Sequence, residues 1–465
     1  MARIQLEDTI CAISTAPGMG AIAVARISGP QTFPTLERIF KPSAKKTQLK
    51  KAASHTIHHG TVVTSEGPLD DVLVSIFRAP NSYTGEDVAE ISVHGSGYLQ
   101  RRIMEVLIDE GLRMANPGEF TLRAFMNRKL DLAQAEGVAD LIAAHSKMSH
   151  ELAFSQLRGG FSRKLSVLRD QLIQFVSLLE LELDFSEEDV EFADRSGLLS
   201  LVDSISSEIS SLAGSFRLGN VIKTGIPVAI IGKPNAGKST LLNAILNEEK
   251  AIVSDIPGTT RDAIEDTIVI GGYSFRFIDT AGLRAAENLI ESMGIERTWQ
   301  KIGEASIVIY VFDATKESYG DVVRSLEDFK EIAENPSRHL ILVGNKIDKM
   351  KKLPREFTSF VNQETIFVSA KRNENIHEIA ESLVSKVATS GMNDGLIISN
   401  ARHYEALQRS LEAIIEVKSG LAAGITSDLL SSNLRIALHH LGEITGEITT
   451  DDILGNIFSR FCIGK

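Results

Sequence analysis

Cysteine is nearly absent: Cys11 and Cys462 are the two found in 465 residues. Two thiols cannot build a disulfide framework, and such scarcity suits a reducing compartment. No run of 18 apolar residues occurs, so no membrane-spanning helix is expected, and the stretch from Met1 to Asp8 lacks the apolar core of a signal peptide. A cytoplasmic chain with no membrane partner is the expectation. Positive charge is also scarce: 49 Lys and Arg face 61 Asp and Glu, a net charge of −12. That balance argues against a surface that grips nucleic acid indiscriminately. Lys45, Lys46, Lys50 and Lys51 make one local basic cluster, which reads most simply as a solvated loop.

What is present is a folding composition, 43% hydrophobic with a mean hydropathy of +0.02. The length is too great for one core, and about three domains are expected. Residues 1–125 alternate short β-rich runs, such as Ala21 to Ala25 and Val72 to Phe77, with glycine and proline, which predicts an α+β domain. Over 126–222 the period changes: Leu165, Leu168, Leu172, Phe175 and Leu179 line one helical face. Residues 223–388 alternate strands and helices in the doubly wound manner, and over 389–465 the helical pattern resumes with Leu407, Leu411, Ile414, Leu430, Leu434 and Leu441. The fold class expected is therefore multidomain α/β, with a nucleotide-binding domain inserted into one discontinuous helical bundle. Independent domains in series would leave each helical half with an uncovered apolar face.

The chemistry is concentrated in 223–388. Gly232 to Thr240 reads Gly-Lys-Pro-Asn-Ala-Gly-Lys-Ser-Thr directly after the apolar run Pro227 to Ile231. A loop of this type cradles a polyphosphate with its backbone N–H groups, among them those of Asn235, Ala236, Gly237 and Thr240. Lys238 is placed for the β and γ phosphates and Ser239 for Mg²⁺. Asp279-Thr280-Ala281-Gly282 ends the apolar run from Phe275, where a carboxylate reaches a metal and a glycine N–H the γ-phosphate. Asn345, Lys346 and Asp348 follow the run Leu340 to Val343, and a carboxylate at 348 suits the N1–H and exocyclic amine of guanine and mispairs with adenine. Ser369-Ala370-Lys371 closes a further apolar run and matches a loop covering the base. The ordered set predicts a GTP site.

Hydrolysis also needs a positioned water and charge compensation. The segment Gly258 to Asp262 lies where the first switch belongs, with Thr260 as second hydroxyl on Mg²⁺. Leu283 occupies the position where Ras-like GTPases carry a water-orienting glutamine, and leucine cannot hydrogen-bond water. Glu287 and Glu291 are the carboxylates on offer. No arginine finger is identifiable, and a monovalent cation on Asn235 and loop carbonyls before Gly258 is an alternative source of charge.

Longer motifs carry a resemblance. Asn81 to Asp87, Asn116 to Phe125, Leu130 to Glu136 and the terminal Cys462-Ile463-Gly464-Lys465 are similar to those of the MnmE/TrmE family of tRNA wobble-uridine modification GTPases, and the likeness runs the length of the chain. The resemblance implies a folate-binding N-terminal domain that forms a homodimer, a two-part helical domain, and an inserted G domain. It implies a (carboxymethyl)aminomethyl group formed at C5 of tRNA uridine 34, with an FAD-carrying partner, MnmG (GidA), in a heterotetramer or larger complex. The one-carbon unit comes from 5,10-methylene- or 5-formyl-tetrahydrofolate, with contacts falling on Arg26, Glu90, Lys129 and Lys465. K⁺ falls on Asn235, Ser254, Ile256 and Thr259, with Asp255, Pro257 and Gly258 in the same nucleotide-contacting loop. Mg²⁺ falls on Ser239 and Thr260. Of the two carboxylates, the resemblance selects Glu291 as catalytic beside Lys238. Departures are Met19, where arginine is frequent, and the extra Ser96 within a glycine pair. The alternative, a regulatory or ribosome-assembly GTPase switch, leaves residues 1–125 and the terminal tetrapeptide without a role.

Overall fold

The computed structural model describes residues 7–44, 48–184, 195–250, 266–278, 303, 305–327, 338–350, 365–388, 396–459 and 461–465. The chain divides into two compact units, one of residues 1–139, 155–203 and 409–465, the other of 140–154 and 204–408.

The N-terminal stretch runs β1 (Ile10–Ile13), β2 (Ile22–Ser28), α1 (Thr32–Ile39), β3 (Phe40–Pro42), β4 (Thr56–Thr64), β5 (Gly67–Phe77), β6 (Val88–His94), α2 (Gly97–Asp109) and β7 (Arg113–Met114). Its strands form one sheet in the order β3-β4-β5-β6-β2-β1-β7, antiparallel except where β1 meets β7. Period-two patterning sets the buried face: Ala23, Ala25 and Ile27 of β2, Val72, Val74 and Ile76 of β5, and Ala89, Ile91 and Val93 of β6 share one core with Ile103, Val106 and Leu107 of α2. The edge strands are only three and two residues long, which limits unpaired backbone at both rims. Ser96 caps α2 by accepting from the Leu99 N–H at 3.1 Å, so this serine has a local role.

Helices α3 (Glu119–Met126), α4 (Leu132–Ala143), α5 (Lys147–Leu157), α6 (Gly160–Asp184) and α7 (Arg195–Thr224) follow. Next come β8 (Ile226–Ile231), α8 (Lys238–Lys250), β9 (Asp266–Ile270), β10 (Tyr273–Phe277), β11 (Ile307–Asp313), α9 (Tyr319–Glu327), β12 (His339–Asn345), β13 (Thr365–Val368) and α10 (Ile376–Ala388). The last described helices are α11 (Ala401–Ala423), α12 (Ser427–Thr445) and α13 (Asp451–Phe458).

The expected helical face is real. Leu165, Leu168, Leu172, Phe175 and Leu179 of α6 are all buried, as are Leu430, Leu434 and Leu441 of α12, and the two helices pack together across more than 200 residues of sequence. Arg435 closes this contact on Glu180 at 2.5 Å. The helical segments before and after the nucleotide fold therefore share one bundle. Farther along, Leu454, Phe458 and Phe461 join Leu122, Leu132, Ala135 and Val138 in a smaller core.

The second sheet has the order β13-β12-β11-β8-β10-β9. All its pairs are parallel except the β9–β10 hairpin, which turns at Gly271 and Gly272 with φ of +57° and +86°. Every residue of β8 and β11 is buried, the mark of central parallel strands covered on both faces. Strand order reverses at β8, and in open α/β sheets ligands bind beyond the carboxyl ends of strands at such a switch point.

Candidate functional site

The phosphate-binding loop leaves the end of β8 and enters α8 at Lys238. Gly232 and Gly237 have φ of +143° and +97°, and a Cβ on them would lie 2.0 Å from the Val311 carbonyl oxygen and 2.2 Å from the Asn345 Nδ2. Only glycine fits at either position. Asn235 also takes a left-handed conformation at φ +64°, a tolerance asparagine has and most residues lack. The Lys238 ammonium folds back over the loop, donating to the carbonyls of Gly232 at 2.8 Å and Lys233 at 2.9 Å. Burial pushes its pKa down.

The strand-end residues of β12 are tied directly to this loop. Asn345, 2% exposed, donates from Nδ2 to the Ala236 carbonyl at 2.9 Å, and its Oδ1 accepts from the backbone N–H groups of Lys346 and Ala370 at 2.8 and 3.1 Å. One amide thus joins three segments. Lys346, at φ +72°, donates to the Asn235 carbonyl at 2.5 Å and pairs with Asp313 Oδ2 at 2.7 Å. Ser369 donates to Asp348 Oδ1 at 2.9 Å, which orients that carboxylate.

The structure therefore brings together Asn235, Ala236, Gly237, Lys238, Asn345, Lys346, Asp348, Ser369 and Ala370, with Ser239 and Thr240 opening α8 and Lys371 exposed beyond Ala370. Ser254, Asp255, Ile256, Pro257, Gly258, Thr259, Thr260, Asp279, Thr280, Ala281, Gly282, Glu287 and Glu291 lie outside the described residues. The donor set fits a nucleotide polyphosphate, because a backbone cradle closed to any Cβ stands at the start of a helix beside a lysine ammonium.

Sequence reasoning missed Asp313. It ends the apolar run Ile307 to Phe312, just as Asp279 ends the run from Phe275, and that parallel was the available signal. Burial by itself would raise the Asp313 carboxyl, but hydrogen bonds from Lys346 and Thr315 outweigh it and hold the group below the ordinary carboxylate range.

In the other unit, β2 and β6 place Arg26 opposite Glu90, and the two side chains pair with Nη2 to Oε1 at 2.8 Å. Arg26 Nη1 also donates to the Gly464 carbonyl at 3.3 Å, and its guanidinium lies 5.6 Å from the ring centres of both Tyr83 and Phe120. The C-terminal tail is held from several sides: the Gly464 carbonyl also accepts from Ser14 Oγ at 3.1 Å, and the Lys465 carbonyl accepts from the Phe120 N–H at 3.2 Å. Lys129 donates to the Pro80 carbonyl at 2.9 Å and lies against Gly85 of the same loop as Tyr83. Arg26, Glu90 and the tail bearing Lys465 are thus one cluster, and Lys129, after α3, packs on the loop of residues 80–85, whose Tyr83 borders it. Cations and a carboxylate with one oxygen beyond the Arg26 pair suit a ligand bearing both carboxylates and N–H donors, as a folate does.

The sequence also did not reveal an ionic network centred on buried Arg123 and Glu119, which reaches the Tyr83 loop through Glu86. Arg123, fully buried, meets Asp8 at 2.5 Å, Glu119 at 3.1 Å and Glu86 at 3.2 Å, while Arg113 meets Asp8 and Glu119, both at 2.6 Å. Burial opposes ionisation of Asp8 and Glu119, yet the arginine hydrogen bonds hold both carboxyls below their usual pKa. Glu86 in turn accepts from Ser28 Oγ at 2.6 Å, which fixes the loop carrying Tyr83.

Comparison with known proteins gives consistent matches. Residues 9–129 match the family model described as GTP-binding protein TrmE N-terminus, and 132–462 match the MnmE helical domain. Proteins named tRNA modification GTPase MnmE from Bacteroides fragilis, Parabacteroides distasonis and Christiangramia forsetii are 51%, 52% and 49% identical. The alignments cover 99%, 98% and 99% of this chain and 100% of each relative. Among solved structures, the FeoB G-domain from Methanococcus jannaschii is 23% identical over 35% of this chain and 98% of its own, with a TM-score of 0.26.

Proposed function

The chain belongs to the MnmE/TrmE family, and from that premise we propose how a GTP-hydrolysing tRNA modification enzyme is built from these residues. The observation that carries the reading is the Asn345 to Ala236 bond with its neighbour, Lys346 to Asn235. Through them the guanine-recognition strand end and the phosphate loop form one rigid receptor for a guanine nucleotide.

In this reading Asp348, oriented by Ser369, accepts the N1–H and exocyclic amine of guanine. The Ala370 N–H donates to Asn345 Oδ1, which ties the loop of residues 369–371 to the recognition strand end beside the base. Backbone N–H groups from Asn235 to Thr240 bind the phosphates, and Lys238 exchanges its loop carbonyls for phosphate oxygens, which restores a partner to its buried charge. Ser239 and Thr260 would hold Mg²⁺, and Asn235, Ser254, Ile256 and Thr259 would hold K⁺; bound there, such ions would supply positive charge against the γ-phosphate oxygens. Glu291 orients the attacking water in place of the glutamine that Leu283 replaces.

Arg26, Lys129 and Lys465 bind the carboxylates of a reduced folate, and Glu90 accepts from its pterin. Residues 1–125 supply Arg26, Glu90 and the homodimer contact, 126–222 and 389–465 the helical domain together with Lys129 and Lys465, and 223–388 the G domain. An FAD-carrying MnmG-type partner and tRNA complete a cytoplasmic assembly that modifies wobble uridine. The rival, a ribosome-assembly switch, gives the docked tail and the Arg26–Glu90 cluster nothing to do.

The test is GTP turnover in K⁺ and Na⁺ at equal ionic strength. At least about tenfold faster turnover in K⁺ is expected, a transition-state difference of about 1.4 kcal/mol. Equal rates would remove the ion site from the proposal.

A further inference from the structure

The β11 strand end grips the phosphate loop from a side that neither the sequence motifs nor the nucleotide contacts explain. Asp313 Oδ2 pairs with the Lys346 ammonium at 2.7 Å, and that same ammonium donates to the Asn235 carbonyl at 2.5 Å. Asp313 is 6% exposed, and its other oxygen is spoken for: Oδ1 accepts from Thr315 Oγ1 at 2.6 Å and the Thr315 N–H at 3.1 Å. The carboxylate is therefore fixed in direction before it meets the lysine. Lys346 itself takes a left-handed backbone, one residue after Asn345 and two before Asp348, so the direction of its side chain is set at the base-recognition turn. A second grip exists at the opposite end of the loop. Glu317 accepts the Asp313 N–H at 3.2 Å with Oε1 and pairs with Lys233 at 2.9 Å with Oε2, but Lys233 is half exposed.

We propose that Asp313 is a positioning residue for nucleotide binding: it holds the Lys346 ammonium on the Asn235 carbonyl, locking the phosphate loop to the guanine-recognition turn. The alternative rotamers of a lysine side chain are many, and an ammonium with no anion beside it would spend much of its time in water. With the anion in place, the loop carbonyl at Asn235 is turned toward Lys346, and the loop N–H groups are presented to phosphate without reorganisation at each binding event. The buried partner dominates and the exposed Glu317–Lys233 pair contributes little, since surface pairs are screened and entropically costly. The inference rests on the guanine-nucleotide reading of this site.

The experiment measures a fluorescent GDP and a fluorescent GTP analogue by equilibrium titration and stopped-flow dissociation, using the full chain. Wild-type protein that fails to bind either would defeat the nucleotide reading itself. With wild-type binding intact, Asp313→Asn should weaken GDP and GTP alike by about 10-fold to 100-fold, raise KM equally, and leave kcat within about twofold, as for a contact made equally in ground and transition states. Glu317→Gln should shift affinity by no more than about threefold. If Asp313 acts through Lys346, the double variant Asp313→Asn/Lys346→Met binds no more weakly than Lys346→Met alone, whereas independent structural effects would add. Additive losses, or Asp313→Asn binding within twofold of wild type, overturn the proposal. Should Asp313→Asn not fold, Thr315→Val keeps the charge but removes the hydroxyl that aims it. Faster nucleotide dissociation at unchanged Tm then supports the linkage, and unchanged dissociation overturns it.

Discussion

The two candidate ligand sites of this chain are built in opposite ways. At the phosphate loop the receptor is mostly backbone: carbonyls and N–H groups made accessible by Gly232, Asn235 and Gly237, with Asn345 and Lys346 reaching across from the end of β12. At the Arg26–Glu90 cluster the candidate receptor is mostly side chain, assembled from β2, β6, the loop at Tyr83 and the last residues of the chain, with that loop tied by Glu86 to Arg123. Backbone receptors depend on conformation and fail when a Cβ intrudes. Side-chain receptors depend on charge balance and fail when a partner is removed. Each failure mode makes a separate prediction.

The largest effect is expected from Arg123→Met. The substitution removes a fully buried cation, leaving Asp8 and Glu119 to Arg113 alone and Glu86 without its arginine. Breaking a buried ionic cluster from one side costs about 3–5 kcal/mol, because uncompensated charge stays behind. Thermal unfolding followed by calorimetry should show the loss, and binding of fluorescent GDP below the melting transition should stay within about twofold. A Tm unchanged from wild type would show that the network is not a brace.

Next in size is Gly232→Ala. Its Cβ would stand 2.0 Å from the Val311 carbonyl oxygen, with backbone and not a flexible side-chain tip as the obstacle, at a φ of +143° that alanine resists. Strain of this kind costs about 1–3 kcal/mol before the collision is counted, so GTP affinity should fall by about 100-fold or more. Titration with a fluorescent GTP analogue measures it, and retention of affinity within tenfold would mean the loop is not held against β11 as described.

How much of this was legible follows from the same contrast. A backbone receptor needs particular residue types at fixed, short spacing, so Gly232 to Thr240 and Asn345 to Asp348 could be read directly, and the buried stripes of α6 and α12 followed from their period. Asp313 escaped because an acidic residue closing an apolar run is common, and its partner is 33 residues away. Arg123 escaped for a stronger reason: nothing local distinguishes it from a surface arginine of a short helix, and its partner Asp8 is 115 residues distant. Arg26, Glu90, Lys129 and Lys465 were reachable only through resemblance to a family, since no spacing rule joins charges so far apart in sequence. Side-chain receptors assembled by topology are invisible until the sheet register, here Arg26 opposite Glu90, is known.

The smallest effect concerns the two thiols, which divide along the same line between structure and surface. Cys11 is buried in β1 with its Sγ 3.6 Å from the Arg113 carbonyl, and burial pushes its thiol up to about 11, only partly offset by the Arg113 charge. Cys462 is exposed in the C-terminal tail. A raised thiol pKa means less thiolate at any lower pH, so at pH 8 only about one Cys11 in a thousand is in the reactive form, before access is considered. Brief treatment with iodoacetamide at pH 8, read by peptide mass spectrometry, should therefore modify Cys462 and leave Cys11 intact, and labelling in denaturant should reach both. Because Cys11 sits on the strand that leads into the tail-binding residue Ser14, its labelling also reports on the N-terminal fold: Arg123→Met should speed it under native conditions, in proportion to the more frequent opening of the weakened unit. Equal labelling of the two cysteines in the native wild-type chain would contradict the burial of β1.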